Sequence, residues 1–154
     1  MPHFDDFTIS LTDSPDPDDN QFIDLMIKQF NNVISPHHLA SRQEGAVTPL
    51  AIFIHDTTDN IVGGLIADTY WEWLAIDDFW IHEDLRGKGY GTRLLKMAET
   101  EAKRRGCKWA HLKTFGFQAR TFYERFGYRV IGVLENYPPG SAFYWMRKDF
   151  GPES

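Results

Sequence analysis

Phe79-Trp80-Ile81-His82-Glu83-Asp84-Leu85-Arg86-Gly87-Lys88-Gly89-Tyr90-Gly91-Thr92-Arg93-Leu94-Leu95 changes period midway, and that change decides the fold. Phe79, Trp80 and Ile81 are the apolar end of a strand. Beyond the glycines, Leu94, Leu95, Ala98 and Ala102 share one face of a helix predicted over residues 89–105, with Lys103-Arg104-Arg105 in its last turn and Gly106 after it. Glycines between a strand and a helix let the backbone approach a ligand closely. The first helical N–H groups, with roughly +0.5 charge behind them, make an anion site. Gly87, Gly89 and Gly91 alternate, so the spacing is not that of a dinucleotide fingerprint. Lys88 precedes Gly89 rather than Ser or Thr, so it is not a P-loop either. A tight crossover with no ligand would also use such glycines.

The flanks supply the rest of the fold. Asp16 is placed to cap a helix that starts at Pro17, with Asp18 and Asp19 at the positive end of its dipole. Phe22, Met26, Phe30 and Val33 recur at helical spacing, and Ile23, Ile27 and Ile34 widen the stripe. Alternation of Phe7, Ile9 and Leu11 predicts a short strand before it. Residues 50–55 and 61–66 read as strands around the turn chemistry of Asp56-Thr57-Thr58-Asp59-Asn60, with Gly63-Gly64 marking a bulge or a close backbone approach. A strand over 108–114 follows the glycine-turn helix. Then come a second helix carrying Ala119, Phe122, Tyr123 and Phe126, stopped by Gly127, and a hairpin of 128–134 with 143–147. No repeat or linker interrupts the chain, so residues 1–154 are expected to form a single domain. Its class is α/β, a mixed sheet covered by helices.

The 154 residues hold 22 acidic and 16 basic side chains, a net charge of −6. An acidic chain without a basic run lacks the footprint of a nucleic-acid binder. No apolar run approaches ~20 residues and the start lacks a signal-peptide pattern, so no membrane partner is expected and a cytoplasmic location is. Cys107 stands alone and forms no internal disulfide. His37-His38 is the sole adjacent histidine pair, and neighbours on a helix point about 100° apart, so no metal is expected.

The stretch at 79–95 resembles the acetyl-coenzyme A motif of GNAT N-acetyltransferases, Arg/Gln-x-x-Gly-x-Gly/Ala, with Arg86, Gly89 and Gly91 at its fixed positions. A second block, Ala119-Arg120-Thr121-Phe122-Tyr123-Glu124-Arg125-Phe126-Gly127-Tyr128, is similar to the family's late helix. The order of elements fits over nearly the whole chain. The resemblance implies a central, mostly antiparallel sheet flanked by helices. One departure is Gly116, where many members carry an asparagine.

The resemblance implies acetyl-coenzyme A as cosubstrate. Backbone N–H groups of Gly87, Lys88, Gly89, Tyr90, Gly91 and Thr92 would hold its pyrophosphate, the main chain of Trp80 and Ile81 its pantetheine arm, and Arg86 and Lys88 would add charge. It implies a leaving-thiolate partner in Tyr123, whose bland alternative is packing beside Phe122 and Phe126, and an oxyanion donor in the Ile81 N–H. A bound ammonium cannot attack a thioester, so a base or water chain is needed. Counting by two along the strand puts Asp77 on the face of Phe79 and Ile81 and makes it the candidate base. The family's own carboxylate position is Ala75, so this is no motif match, and an exposed or salt-bridged Asp77 is the alternative.

The expected reaction is acetyl transfer to a primary amine within a ternary complex. The expected acceptor is a small molecule, cationic because Glu72, Asp77, Asp78 and Glu135 would attract it. Tyr70-Trp71-Glu72-Trp73 and Tyr137 are candidate pocket residues. A protein or peptide amine, a longer acyl group and a coenzyme-binding module without chemistry stay open, as does a homodimer.

Overall fold

The computed structural model describes residues 7–152, in two units divided after Ala40. In the first, α1 (Pro17–Ile34) begins where the sequence says it should. The Asp16 carboxylate accepts the Asp18 N–H at 2.8 Å, and Pro17 takes the first position, where a missing N–H is harmless. α1 buries none of its residues, and α2 (Pro36–Ser41) follows after one residue. The strand expected at residues 7–11 is absent. Phe7, Ile9 and Leu11 are exposed and pair with no strand, and alternation alone cannot hold a strand without a neighbour to complete its ladder.

The second unit is a six-stranded sheet in the order β1-β2-β3-β4-β6-β5. The strands are β1 (Thr48–His55), β2 (Ile61–Tyr70), β3 (Trp73–Ile81), β4 (Trp109–Phe115), β5 (Arg129–Glu135) and β6 (Ala142–Asp149). Every neighbouring pair is antiparallel except β3 and β4, which run parallel because α3 (Tyr90–Arg104) crosses between them. The short α4 (Arg120–Arg125) joins β4 to β5. The β2–β3 hairpin turns through Trp71 and Glu72, both at positive φ. At Gly64 the reason for glycine is local: a Cβ there would lie 2.9 Å from the Ile52 carbonyl oxygen of β1.

Two features of β3 shape the site. Its ladder with β2 slips by one residue: Ile66 opposes Asp78 and Ala67 opposes Ile76, leaving Asp77 as the extra residue of a bulge. Its parallel ladder with β4 lasts only from Trp73–Trp109 to Ile76–Leu112, and beyond the bulge the two strands part.

The core lies between the sheet and α3, where Leu65, Leu74, Leu95, Ala98, Ala102, Ala110 and Met146 are almost fully buried. One buried charge sits within it. The Glu99 carboxylate of α3 accepts the Tyr128 hydroxyl at 2.8 Å and the Lys148 Nζ at 2.7 Å, tying helix to sheet. Glu99→Ala leaves a part-buried ammonium and a buried hydroxyl without their acceptor, which is expected to cost about 2–3 kcal/mol. Urea denaturation measures this, and a loss under about 1 kcal/mol would show that the three groups behave as a surface pair.

Candidate active site

The glycine turn is built from conformation rather than side chains. Gly87 and Gly89 adopt φ of +74° and +85°, the left-handed region where an L side chain is strained. A Cβ on either would meet nothing within 4 Å, so the space above the turn is open. Gly89 is also the residue that caps α3 and has no side chain to occupy the helix's first N–H groups, which leaves them for an anion. Gly91 has another reason to be glycine: its Cα faces the Phe122 ring of α4, and a Cβ would touch that ring at 3.4 Å. Arg86 is a clamp as well as a charge, since its Nε donates to the Ile81 carbonyl at 3.0 Å. Lys88 is exposed, and Tyr90 and Thr92 are half-buried.

Where β3 and β4 part, a cavity of about 610 Å³ opens. Its walls bring together Asp77, Trp80, Ile81, Arg86, Gly91, Phe117 and Tyr123. The His82 N–H donates to the Val62 carbonyl of β2, and the Trp80 carbonyl lies against Gly63 on the same strand. Backbone groups alternate sides along a strand, so the amides of Phe79 and Ile81 face the gap and that of Trp80 faces the sheet. The gap therefore offers an extended ligand an unpaired strand edge, as far as Arg86 leaves it free.

Phe79 turns towards α4 and meets Phe122 and Tyr123 edge to face at 5.9 and 6.3 Å. Asp77 does not share that face as period-two counting expects. The bulge breaks the period, and Asp77 is exposed among the charges of Asp68, Asp78, His111 and Lys113. Partial burial first, then the carboxylates of Asp68 and Asp78, push its carboxyl above the ordinary range, while His111 and Lys113 oppose the shift. Tyr123 is 7% exposed, and burial pushes its phenol up to about 12. Burial first, then Lys113, likewise lowers the His111 imidazole, whose Nδ1 accepts the Trp145 indole N–H at 3.2 Å.

A family model described as the acetyltransferase (GNAT) family matches residues 17–128. The chain belongs to the GNAT family. An acetyltransferase of Agrobacterium fabrum (strain C58 / ATCC 33970), Atu2258, is 33% identical over 123 residues, 80% of this chain and 90% of that protein. Blasticidin-S acetyltransferase of Streptomyces morookaense is 38% identical over 90 residues, 58% of this chain, and the chain spans 66% of its length. The crystal structure of an acetyltransferase from Bacillus cereus ATCC 14579 superposes with a TM-score of 0.80 at 28% identity, over 92% of this chain and 98% of that one. The chain is an acyltransferase, and GNAT acetyltransferases use acetyl-coenzyme A.

Within this GNAT fold some residues singled out in the sequence lie elsewhere. Tyr70, Trp71, Glu72 and Trp73 form the turn at the opposite end of β3 from the glycine turn, and Glu72 pairs with Lys108 at 3.1 Å. The four do not line the cavity. Gly116, the departure from the family pattern, is close-packed: a Cβ would meet the Tyr144 ring at 3.4 Å. Gln118, which the sequence does not flag, acts locally, its Oε1 accepting the Phe115 N–H at 2.8 Å and the Thr114 hydroxyl at 3.2 Å. Among the described residues no group of three or more His, Cys, Asp or Glu is arranged to hold a metal ion, and no helix is long and apolar enough to cross a membrane. Cys107 is buried, and burial raises its thiol, which suits packing better than nucleophilic work.

Gly89→Glu places a strained side chain and a negative charge over the open N–H groups of α3. Calorimetry is expected to find no acetyl-coenzyme A binding to this variant, with an unchanged far-ultraviolet spectrum confirming that it folds. Wild-type affinity in the folded variant would remove the turn from the coenzyme site.

Proposed function

We propose that this chain transfers the acetyl group of acetyl-coenzyme A directly to a primary amine of a small molecule, both substrates being held together in the cavity between β3 and β4. The observation that carries this reading is the shared cavity itself. One opening has the turn of Arg86 and Gly91 at one wall, a carboxylate with raised pKa, Asp77, at another, and the buried phenol of Tyr123 at a third.

Each residue then has one job. The N–H groups at Gly87, Gly89 and the start of α3 bind the pyrophosphate. The two gap-facing amides, of Phe79 and Ile81, serve the pantetheine arm and the thioester oxygen on which charge develops. Asp77 accepts, directly or through water, the proton the amine must lose as its nitrogen forms the new bond to the acyl carbon. Its raised pKa brings it closer to the amine's own and makes it a stronger base than an ordinary aspartate. Tyr123 meets the sulfur as the carbon–sulfur bond breaks and the electron pair stays on sulfur. A phenol near 12 is a weaker acid than a thiol of ~8.5 in water, so Tyr123 acts first by hydrogen-bond donation. Full proton transfer follows only if the thiolate is desolvated too. Acetyl-coenzyme A supplies the activated acyl group.

The carboxylates of Asp77 and Asp78 on the wall of the opening suit a cationic amine. Blasticidin-S acetyltransferase is by name an enzyme acting on a small molecule, which supports a small-molecule acceptor.

A panel of small amines with acetyl-coenzyme A, followed by release of free thiol, tests the assignment, and thiol release only with protein or peptide amines would overturn it. Tyr123→Phe keeps the ring and removes the donor. Its kcat is expected to fall by about 10² to 10⁴ with coenzyme affinity little changed. Wild-type turnover, with chemistry rate-limiting, would return Tyr123 to packing.

The acidic limb of kcat/KM against pH should lie above that of an ordinary aspartate near ~3.9, because Asp77 is active only when deprotonated and its pKa is raised. Asp77→Asn should erase that limb and lower kcat without lowering the melting temperature. The sign follows from linkage: a carboxyl whose folded pKa is raised opposes folding once it ionises, so neutralising it relieves the fold. Full activity in Asp77→Asn would move the base to water.

A further inference from the structure

One wall of the cavity is unlike the others. Phe117, in the turn after β4, lines it while remaining 68% exposed. Its inner face lies on Phe115 with centroids 5.3 Å apart and planes within 7°. Phe115 is stacked in turn on Tyr137 of the β5–β6 loop at 6.0 Å and 19°, and is braced by Phe143 of β6 at 4.9 Å. Tyr137 also meets Phe143 at 5.4 Å, edge to face. Four rings from three segments thus form a slab with two near-parallel stacks, and Phe117 is the ring that borders the cavity. The slab lies on the side of β4 that carries His111 and Lys113, the neighbours of Asp77, because Leu112 and Thr114 are buried on the other side. Such alignment holds an exposed ring at a fixed angle, which a lone surface phenylalanine would not have. An aligned, solvent-facing ring on the wall of a cavity is a surface for another flat ring.

We propose that Phe117 is a specificity-determining residue: its free face stacks the acceptor's conjugated ring while the acceptor's amine reaches Asp77. The proposal rests on the amine-acetylation reading above and names the acceptor class as amines carried on a flat ring. Stacking needs a π face, so apolar area alone does not substitute for it.

The test uses 2-phenylethylamine and 2-cyclohexylethylamine, which share charge and reach and differ in having or lacking a flat ring. In the full chain, kcat/KM for the phenyl amine is expected to exceed that for the cyclohexyl amine by about two- to tenfold. Phe117→Leu keeps apolar area and removes the π face. It is expected to bring the ratio to near one, a readout that a general loss of activity or fold would not move. A wild-type ratio near one overturns the proposal. So does a ratio unmoved in Phe117→Leu, whether coenzyme affinity falls instead, placing the coenzyme's adenine on the ring, or a dimer seen by sedimentation dissolves. If neither amine releases thiol, the transfer reading fails for this class. The platform is then read by calorimetry of the two amines on the coenzyme-loaded protein: tighter phenyl binding lost in Phe117→Leu supports it, and equal binding overturns it.

Discussion

The parting of β3 from β4 is the constraint on which the rest of this molecule depends. Four residue pairs of parallel ladder hold the strands together, and then the bulge at Asp77 turns β3 away. An interior strand cannot leave its amides unpaired in a dry core without a penalty of order 1–3 kcal/mol each. The structure meets this by keeping the unpaired stretch open to a cavity and by letting Arg86 donate to the Ile81 carbonyl. A gap in a sheet therefore leaves strand-edge amides facing a cavity. The glycine turn lies at one end of it and two carboxylates stand on its wall.

A gap of this kind must be held open from outside the sheet. The first turn of α3 and the Phe122 ring approach closely because Gly91 has no side chain, and Phe79, Phe122, Tyr123 and Tyr128 form a chain of edge-to-face rings from β3 to the residue before β5. Glu99 fastens the far side of that chain by accepting from Tyr128 and Lys148. The same burial that fixes Tyr123 raises its phenol, so placement and protonation state have one cause. For Asp77 the causes differ: limited burial combined with two neighbouring carboxylates. A raised carboxyl and a raised phenol thus line one cavity, each set by its environment rather than by its residue type.

Much of this could be read from residues in a row. α3, its glycine entry and basic last turn, the capped start of α1, the β1–β2 pair and the closing β5–β6 hairpin rest on periods and caps that a short window contains. The motif glycines were visible as a set, yet their reasons differ. Gly87 and Gly89 answer to backbone angle and Gly91 to a ring on another helix. The strand expected at residues 7–11 had the alternation but no paired neighbour, and alternation is a necessary condition only.

The sequence by itself determined the helices, their caps, the turns and the family, because helix periods, turn chemistry and the Arg86-to-Gly91 spacing are properties of consecutive residues. Tertiary structure alone decided the bulge that moves Asp77 off the face of Phe79, the gap that makes one cavity of residues 40 and more positions apart, and the stacking that aligns Phe117. These depend on which strand lies beside which, and strand pairing joins segments whose mutual fit no single window records. The burial that shifts Tyr123 belongs to the same class: its phenol feels the sheet and helices around it, and nothing in residues 119–128 states that environment.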